Sequence, residues 1–158
     1  MGARHSIAYG LGPQRIGWVV APPILAEREN SALVATCGHL PTSHASLGVA
    51  ALSATSALSR RARNLFGGKR AVAEAWVRRF PHARWSSPSE GLFGFVTLPG
   101  EGDLLPKIEA LLERRGVLVG AGVFFGAPNG FRLSWASLPK GQFEQGLSLL
   151  EPLVIEGC

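Results

Sequence analysis

Pro81 separates two different sequence patterns, and that change limits what the chain can fold into. Before it, Leu58, Ala62, Leu65, Val72, Ala75, Trp76 and Phe80 recur at near-helical intervals between Arg60, Arg61, Arg63, Lys69, Arg70, Arg78 and Arg79. Such spacing gathers apolar side chains on one side of a helix and charges on the other. After it, short apolar runs alternate with helical stretches and turns. Gly91 to Leu98 reads as a strand with Pro99-Gly100 as its turn, and Leu104 to Arg115 as a helix carrying Leu105, Ile108, Leu111 and Leu112, with Gly116 as its cap. Val117 to Val119 reads as a short strand before Gly120-Ala121-Gly122. Phe131 to Ala136 alternates as another strand, and Pro139 opens a last helix with Phe143, Leu147, Leu150 and Val154 along one face. Strand, helix, strand, strand, helix predicts an α/β fold of the α+β sandwich kind, with helices packed on a small, mostly antiparallel sheet.

The front of the chain reads as a separate piece. Residues 1–14 carry glycine, proline and polar residues, which predicts an irregular arm. Arg15 to Ala21 reads as a strand stopped by Pro22-Pro23, and Ile24 to Val34 as a helix beginning after the prolines. Cys37 to Thr42 breaks that helix, and the small residues from Ala45 to Leu58 then continue into the basic helix, where Gly67-Gly68 predicts a kink or division. With 158 residues, 20 glycines and 11 prolines, we expect one turn-rich domain plus an arm, divided as 1–44 and 45–158. Apolar residues at 46% against 17% charged exclude wholesale disorder. Apolar runs such as Trp18 to Pro23 are too short to cross a bilayer, and Met1 to His5 has no apolar segment behind it. A soluble cytoplasmic protein is the expectation.

Several features suggest chemistry. Cys37, His39 and His44 lie close together, but their spacing matches no common zinc pattern and no second ligand pair follows, so no metal is expected. His5 and His82 stand alone and read as surface or packing residues. Cys37 and Cys158 make no disulfide framework. The net charge of +5 is concentrated between Arg60 and Arg79, a stripe suited to phosphate backbones. The interleaved apolar residues favour a solvated helix face instead, leaving a nucleic-acid-binding protein as the least favoured reading.

Ser6-Ile7-Ala8-Tyr9-Gly10-Leu11, running on to Arg15-Ile16-Gly17-Trp18, resembles the cofactor-lysine segment of the fold-type I, pyridoxal-phosphate-dependent aminotransferases of class I/II. In that family an arginine follows the lysine by eight residues, and counting back eight from Arg15 reaches Ile7. The resemblance continues in order along the chain. RIGWVVAPP is similar to the strand after the lysine, and the helical stretch from Ser43 to Phe80 to the connection between the large and small domains. WSSPSEGLFGFVTLP is similar to the family's Pro-x-Gly-Gly-x-Phe strand, with Glu90 in place of the first glycine. RRGVLVGAGVFFGAPNGFRLSWAS resembles the segment that leads through a Pro-Gly-x-x-Phe-Gly turn to the substrate arginine, with Ala121 where proline is usual.

The resemblance implies roles residue by residue. Arg132 would grip the α-carboxylate of an amino acid or 2-oxo acid, since a guanidinium meets a carboxylate in two parallel hydrogen bonds. Arg15 would lie against the phosphate of pyridoxal phosphate, and Ser6 would add a hydroxyl contact. Ile7 would take the lysine's place and cannot form a Schiff base. Lys69, Lys107 and Lys140 fall outside the lysine motif and do not replace it. Arg4 and Pro13 depart from the family pattern, and the large domain that holds most of the cofactor cannot fit before residue 7. The first expectation is therefore the C-terminal part of an aminotransferase, through truncation, a damaged start or a split gene, inactive as an isolated chain unless a partner chain brings the large domain. The alternative is a pseudoenzyme or interaction module with the small-domain fold, self-associating through the apolar stretch from Ile16 to Ile24. Most side-chain specificity for the substrate would come from residues this chain lacks.

Overall fold

Paired prolines, paired glycines and helix hydroxyls cut the first half of the chain into separate helices. The computed structural model describes residues 2–5, 17–87 and 91–155, with side chains from residue 20 onward. The chain divides into two compact units, Met1–Leu65 and Phe66–Cys158.

In the first unit, β1 (Gly2–His5) pairs antiparallel with β2 (Gly17–Val20), Gly2 opposite Val20 and His5 opposite Gly17. The front of the chain thus holds a strand where an irregular arm was expected. Its pairing partner lies more than ten residues away, so no local signal marks it. Helix α1 (Pro23–Cys37) starts where Pro23 has φ preset and no N–H to leave unpaired, and it ends at Gly38, whose φ of 73° suits only glycine. Its apolar residues are scattered round the helix, and none is buried. Helix α2 (Thr42–Ser53) buries only Gly48. The continuous helix expected from Ala45 through Leu58 is interrupted at Ala54, and α3 (Thr55–Phe66) follows. Ser53 Oγ donates to Val49 O at 3.0 Å and Thr55 Oγ1 to Leu52 O at 2.6 Å, hydroxyl bonds that compete with the helical ladder at the break.

The second unit holds the sheet. Gly67-Gly68 divides α3 from α4 (Lys69–Val77), with Gly68 left-handed at φ 78°. Strands β3 (Arg84–Ser86), β4 (Phe93–Thr97), β5 (Gly120–Ala121) and β6 (Gly130–Ser134) form an antiparallel sheet in the order β3-β4-β6-β5. Helix α5 (Leu105–Arg115) joins β4 to β5; Asp103 Oδ1 accepts the Leu105 N–H at 2.8 Å, and Gly116 closes the helix at φ 66°. Helix α6 (Lys140–Ile155) buries Phe143, Leu147, Leu150, Leu153 and Val154, as its periodicity predicts.

Alternation gives the sheet two unlike faces. Val96, Phe131, Leu133 and Ala121 point into one core with Trp76, Val77, Ile108, Leu111 and the apolar side of α6. Phe93, Arg132 and Ser134 occupy the other face and are exposed. Val119 is buried and Leu118 is exposed, but the ladder reaches only Gly120 and Ala121, so the strand lies just beyond the expected Val117–Val119.

Candidate functional site

Arg132 stands mid-strand on the open face, with Phe95 opposite it on β4 and Gly120 opposite it on β5. Its guanidinium lies 5.3 Å from the centre of the Phe93 ring and 4.9 Å from that of Phe125. Each such contact is worth about 0.5–1 kcal/mol at an exposed site, enough to hold the side chain without neutralising its charge. Phe125 is itself held edge-on to Phe95, at 6.1 Å between centres. Among the described residues Arg132 makes no ion pair. The ordinary alternative for a strand arginine, a surface acid beside it, is therefore not met there.

Two turns build this arrangement. A 3-10 turn over Gly122–Phe125 carries Phe125 back toward the sheet, and Gly126 reverses the chain at φ 73°. A side chain at Gly120 would come within 3.3 Å of Phe125 Cε2 and 3.4 Å of Arg132 Cβ, so glycine leaves the space in which ring and guanidinium meet. Asn129 then pins the turn to the end of β4, its Nδ2 donating to Leu98 O and Gly100 O at 2.8 Å each. At the other end Trp135 Nε1 donates to Gly91 O at 3.1 Å and Ser134 Oγ to Leu92 O at 3.2 Å, fixing the approach to Phe93. A cavity of about 320 Å³ lies where β5 and the end of β6 meet α6, lined by Leu118, Arg132, Leu133, Leu138, Phe143 and Leu147 among others, and neither Phe93 nor Phe125 borders it.

Of the residues singled out in the sequence, Arg132 lies on the open sheet face beside the Phe93 and Phe125 rings. Ser6, Ile7, Arg15 and Glu90 lie outside the described residues. Phe93, Phe125 and Gly120 were passed over as site residues; a strand pattern shows that Phe93 and Arg132 face the same way only once the register is known. Lys69, expected on a solvated basic face, is 5% exposed. Its Nζ donates to Leu138 O at 2.8 Å and lies 5.8 Å from the Phe66 ring centre, and burial lowers its pKa. Three more cations of the stripe are also engaged: Arg70 Nε donates to Ser87 Oγ at 3.3 Å, Arg78 pairs with Glu74 at 2.7 Å and Arg79 with Glu151 at 2.8 Å. Such pairing favours structural cations over a row held ready for phosphates. Among the described residues no three His, Cys, Asp or Glu side chains gather to hold a metal, and no helix is long and apolar enough to cross a membrane.

Residues 6–150 match the family described as aminotransferase class I and II. No curated protein sequence matches the chain. Among solved structures, a PLP-dependent aminotransferase from Streptococcus suis is 20% identical, with a TM-score of 0.77 over 99% of this chain and 42% of its own. LysN, an alpha-aminoadipate aminotransferase from Thermus thermophilus, is 21% identical, with a TM-score of 0.73 over 93% of this chain and 39% of its own. The PLP-dependent cyclase OrfR is 25% identical, with a TM-score of 0.75 over 97% and 42%. The chain thus spans about two fifths of the length of the structures it resembles.

Proposed function

The chain belongs to the aminotransferase class I and II family, and we propose that it supplies the substrate-carboxylate grip of such an enzyme, through Arg132. The observation that carries this reading is a cation without an acid partner among the described residues, held between two aromatic rings on an open sheet face. Rings on either side leave the N–H edge of a guanidinium for a carboxylate, which accepts two parallel hydrogen bonds. An amino acid and its 2-oxo acid share that carboxylate, so one grip serves both directions of amino-group transfer. In this reading residues 45–158 are the small domain and 1–44 belong with the large domain.

When bound, pyridoxal phosphate supplies the electron sink for moving an amino group. The described residues do not fit its covalent attachment. The sequence has three lysines, Lys69, Lys107 and Lys140, and none lines the cavity that carries Arg132. Lys69 gives its amine to a backbone carbonyl, and Lys140 lies 3.8 Å from Glu144. By the resemblance, Ile7 would stand at the lysine position, with Arg15 and Ser6 near the phosphate. We therefore assign carboxylate binding to this chain alone, and amino-group transfer to an assembly that adds the remaining part of the relatives' fold and a lysine.

Two measurements test the reading. In NMR titrations with L-alanine and pyruvate, saturable shifts are expected at the backbone amides of Gly120 and Leu133, which flank Arg132, with Arg132→Lys binding more weakly and Arg132→Gln losing the response. Equal binding by the Arg132→Gln chain sinks the carboxylate assignment. With pyridoxal phosphate, an absorbance scan followed by borohydride and intact mass should show free cofactor and no specific adduct. One adduct at a single lysine overturns the assignment of binding without transfer.

A further inference from the structure

Where β3 meets the end of β4, we infer a second anion site, which holds the phosphate group of a small phosphate monoester on Arg84, Thr97 and His82. A cavity of about 320 Å³ lies there, lined by these three residues, by Asn129 and by the turn from Leu98 to Gly100. It shares no lining residue with the cavity that Arg132 borders. Register brings its first two groups together. Arg84 stands directly opposite Thr97, and such partners have Cβ atoms about 4.5–5.5 Å apart on one face. Val96 points into the core, so Thr97 and Arg84 take the open face.

The other lining groups are fixed by bonds of their own. His82 Nε2 lies 3.0 Å from Val154 O, and a carbonyl oxygen only accepts, so Nε2 carries the proton and donates. With the Phe80 ring 6.2 Å away, edge-on, the imidazole is held from two sides, and Nδ1 is the nitrogen not spent on α6. Asn129 Nδ2 gives its protons to Leu98 O and Gly100 O, which makes the turn a fixed rim. The lining selects the ligand by charge, shape and size. The Arg84 guanidinium brings a permanent positive charge that calls for an anion. Guanidinium, hydroxyl and imidazole approach from β3, from β4 and from the corner before β3. A carboxylate offers its oxygens in one plane, whereas a phosphate group offers three in a tetrahedral array and carries about −1.5 to −2 charge at neutral pH. The cavity is roughly ten times a water's share of the liquid, so a phosphate group leaves room for a small organic body beside Pro99 and Gly100.

The test titrates the full chain with glycerol 3-phosphate, acetate and glycerol in about 150 mM sodium chloride, which screens loose surface attraction. Backbone amide NMR is read at Arg84, Thr97 and Gly100. Saturable shifts are expected with glycerol 3-phosphate, at least about tenfold tighter than with acetate and absent with glycerol. Arg84→Gln should weaken phosphate binding about tenfold, the scale of one charge-assisted hydrogen bond, and Thr97→Val severalfold. Both substitutions fall on the open face, and an unchanged amide pattern along β6 shows that the sheet is intact. Should Arg84→Gln fail to fold, Arg84→Lys and Thr97→Val carry the test. Acetate binding as tightly as glycerol 3-phosphate overturns the choice of phosphate. Undiminished phosphate binding by the Arg84→Gln chain, or by both Arg84→Lys and Thr97→Val, overturns the site. So does a response confined to the basic residues from Arg60 to Arg79, and so does the absence of any response.

Discussion

Arg132 and Lys69 are cations of the same unit placed in opposite settings. Arg132 keeps its charge in the open between aromatic rings, whereas Lys69 is 5% exposed at the first turn of α4 with one carbonyl acceptor. A positive charge there is further disfavoured by the helix dipole. Burial lowers the Lys69 pKa from its ordinary 10.5, so the unfolded chain holds that proton more tightly than the folded one. The cost is present in full below the folded pKa and disappears as pH rises toward 10.5, so this residue makes stability increase with pH through that window. Lys69→Met should remove that component. Thermal melts of both chains from pH 7 to 10.5 read it directly, and parallel curves would show that Lys69 titrates the same folded and unfolded. At the same scale, Gly120→Ala places a methyl 3.3 Å from Phe125 and 3.4 Å from Arg132, and should weaken carboxylate binding severalfold by displacing the guanidinium from its rings. Unaltered affinity in a pyruvate titration would mean that the ring–guanidinium stack has no part in binding.

Among the elements, the turn from Gly122 to Gly130 carries the most constraint. A side chain at Gly122 would collide with the carbonyl oxygens of Ala127 and Gly130, both backbone atoms that cannot rotate away. Gly122→Ala should therefore cost about 2–3 kcal/mol of stability by overpacking. Gly102, with nothing within 4 Å of an added methyl, should tolerate alanine within about 0.5 kcal/mol. Urea denaturation of the two variants checks the contrast, and equal midpoints would mean the turn is free to relax. What could be read beforehand follows from the range of the forces involved. Helices α5 and α6 and strand β4 declare themselves locally, through apolar period and through Gly116, and they stand near where the pattern puts them. Strands β1 and β5 depend on partners distant in sequence, so Gly2–His5 reads as an arm and the strand reads at Val117–Val119 although the ladder forms at Gly120–Ala121. Arg132 is legible as a candidate only because its surrounding motif resembles a family's. Its neighbours Phe93 and Phe125 are not, because cross-strand register and the path of the 3-10 turn decide which rings meet it.

At the scale of the molecule, the apolar core is confined to one unit. Every buried apolar side chain among the described residues falls between Ala73 and Val154, whereas α1 buries none and α2 only Gly48. Ile24, Leu33, Val34, Leu47, Val49 and Leu52 of α1 and α2 are exposed. Helices without tertiary burial are marginal in water, since propensity alone rarely offsets the cost of ordering the backbone. Amides of α1 should therefore exchange with deuterium orders of magnitude sooner than those of β4 and β6, whose hydrogen bonds break only with the core. Protection in α1 equal to that in β4 would show that the first unit is stabilised by contacts beyond its own buried side chains. The same contrast bears on function. Phe93, Gly120, Phe125 and Arg132 all belong to the second unit, so the proposed grip draws no described residue from the first. A chain nicked by protease within α1 should then bind pyruvate with the affinity of the intact chain. Loss of binding on nicking, with the near-ultraviolet signal of Trp135 preserved, would mean that the first unit reaches the carboxylate or holds Arg132 in place.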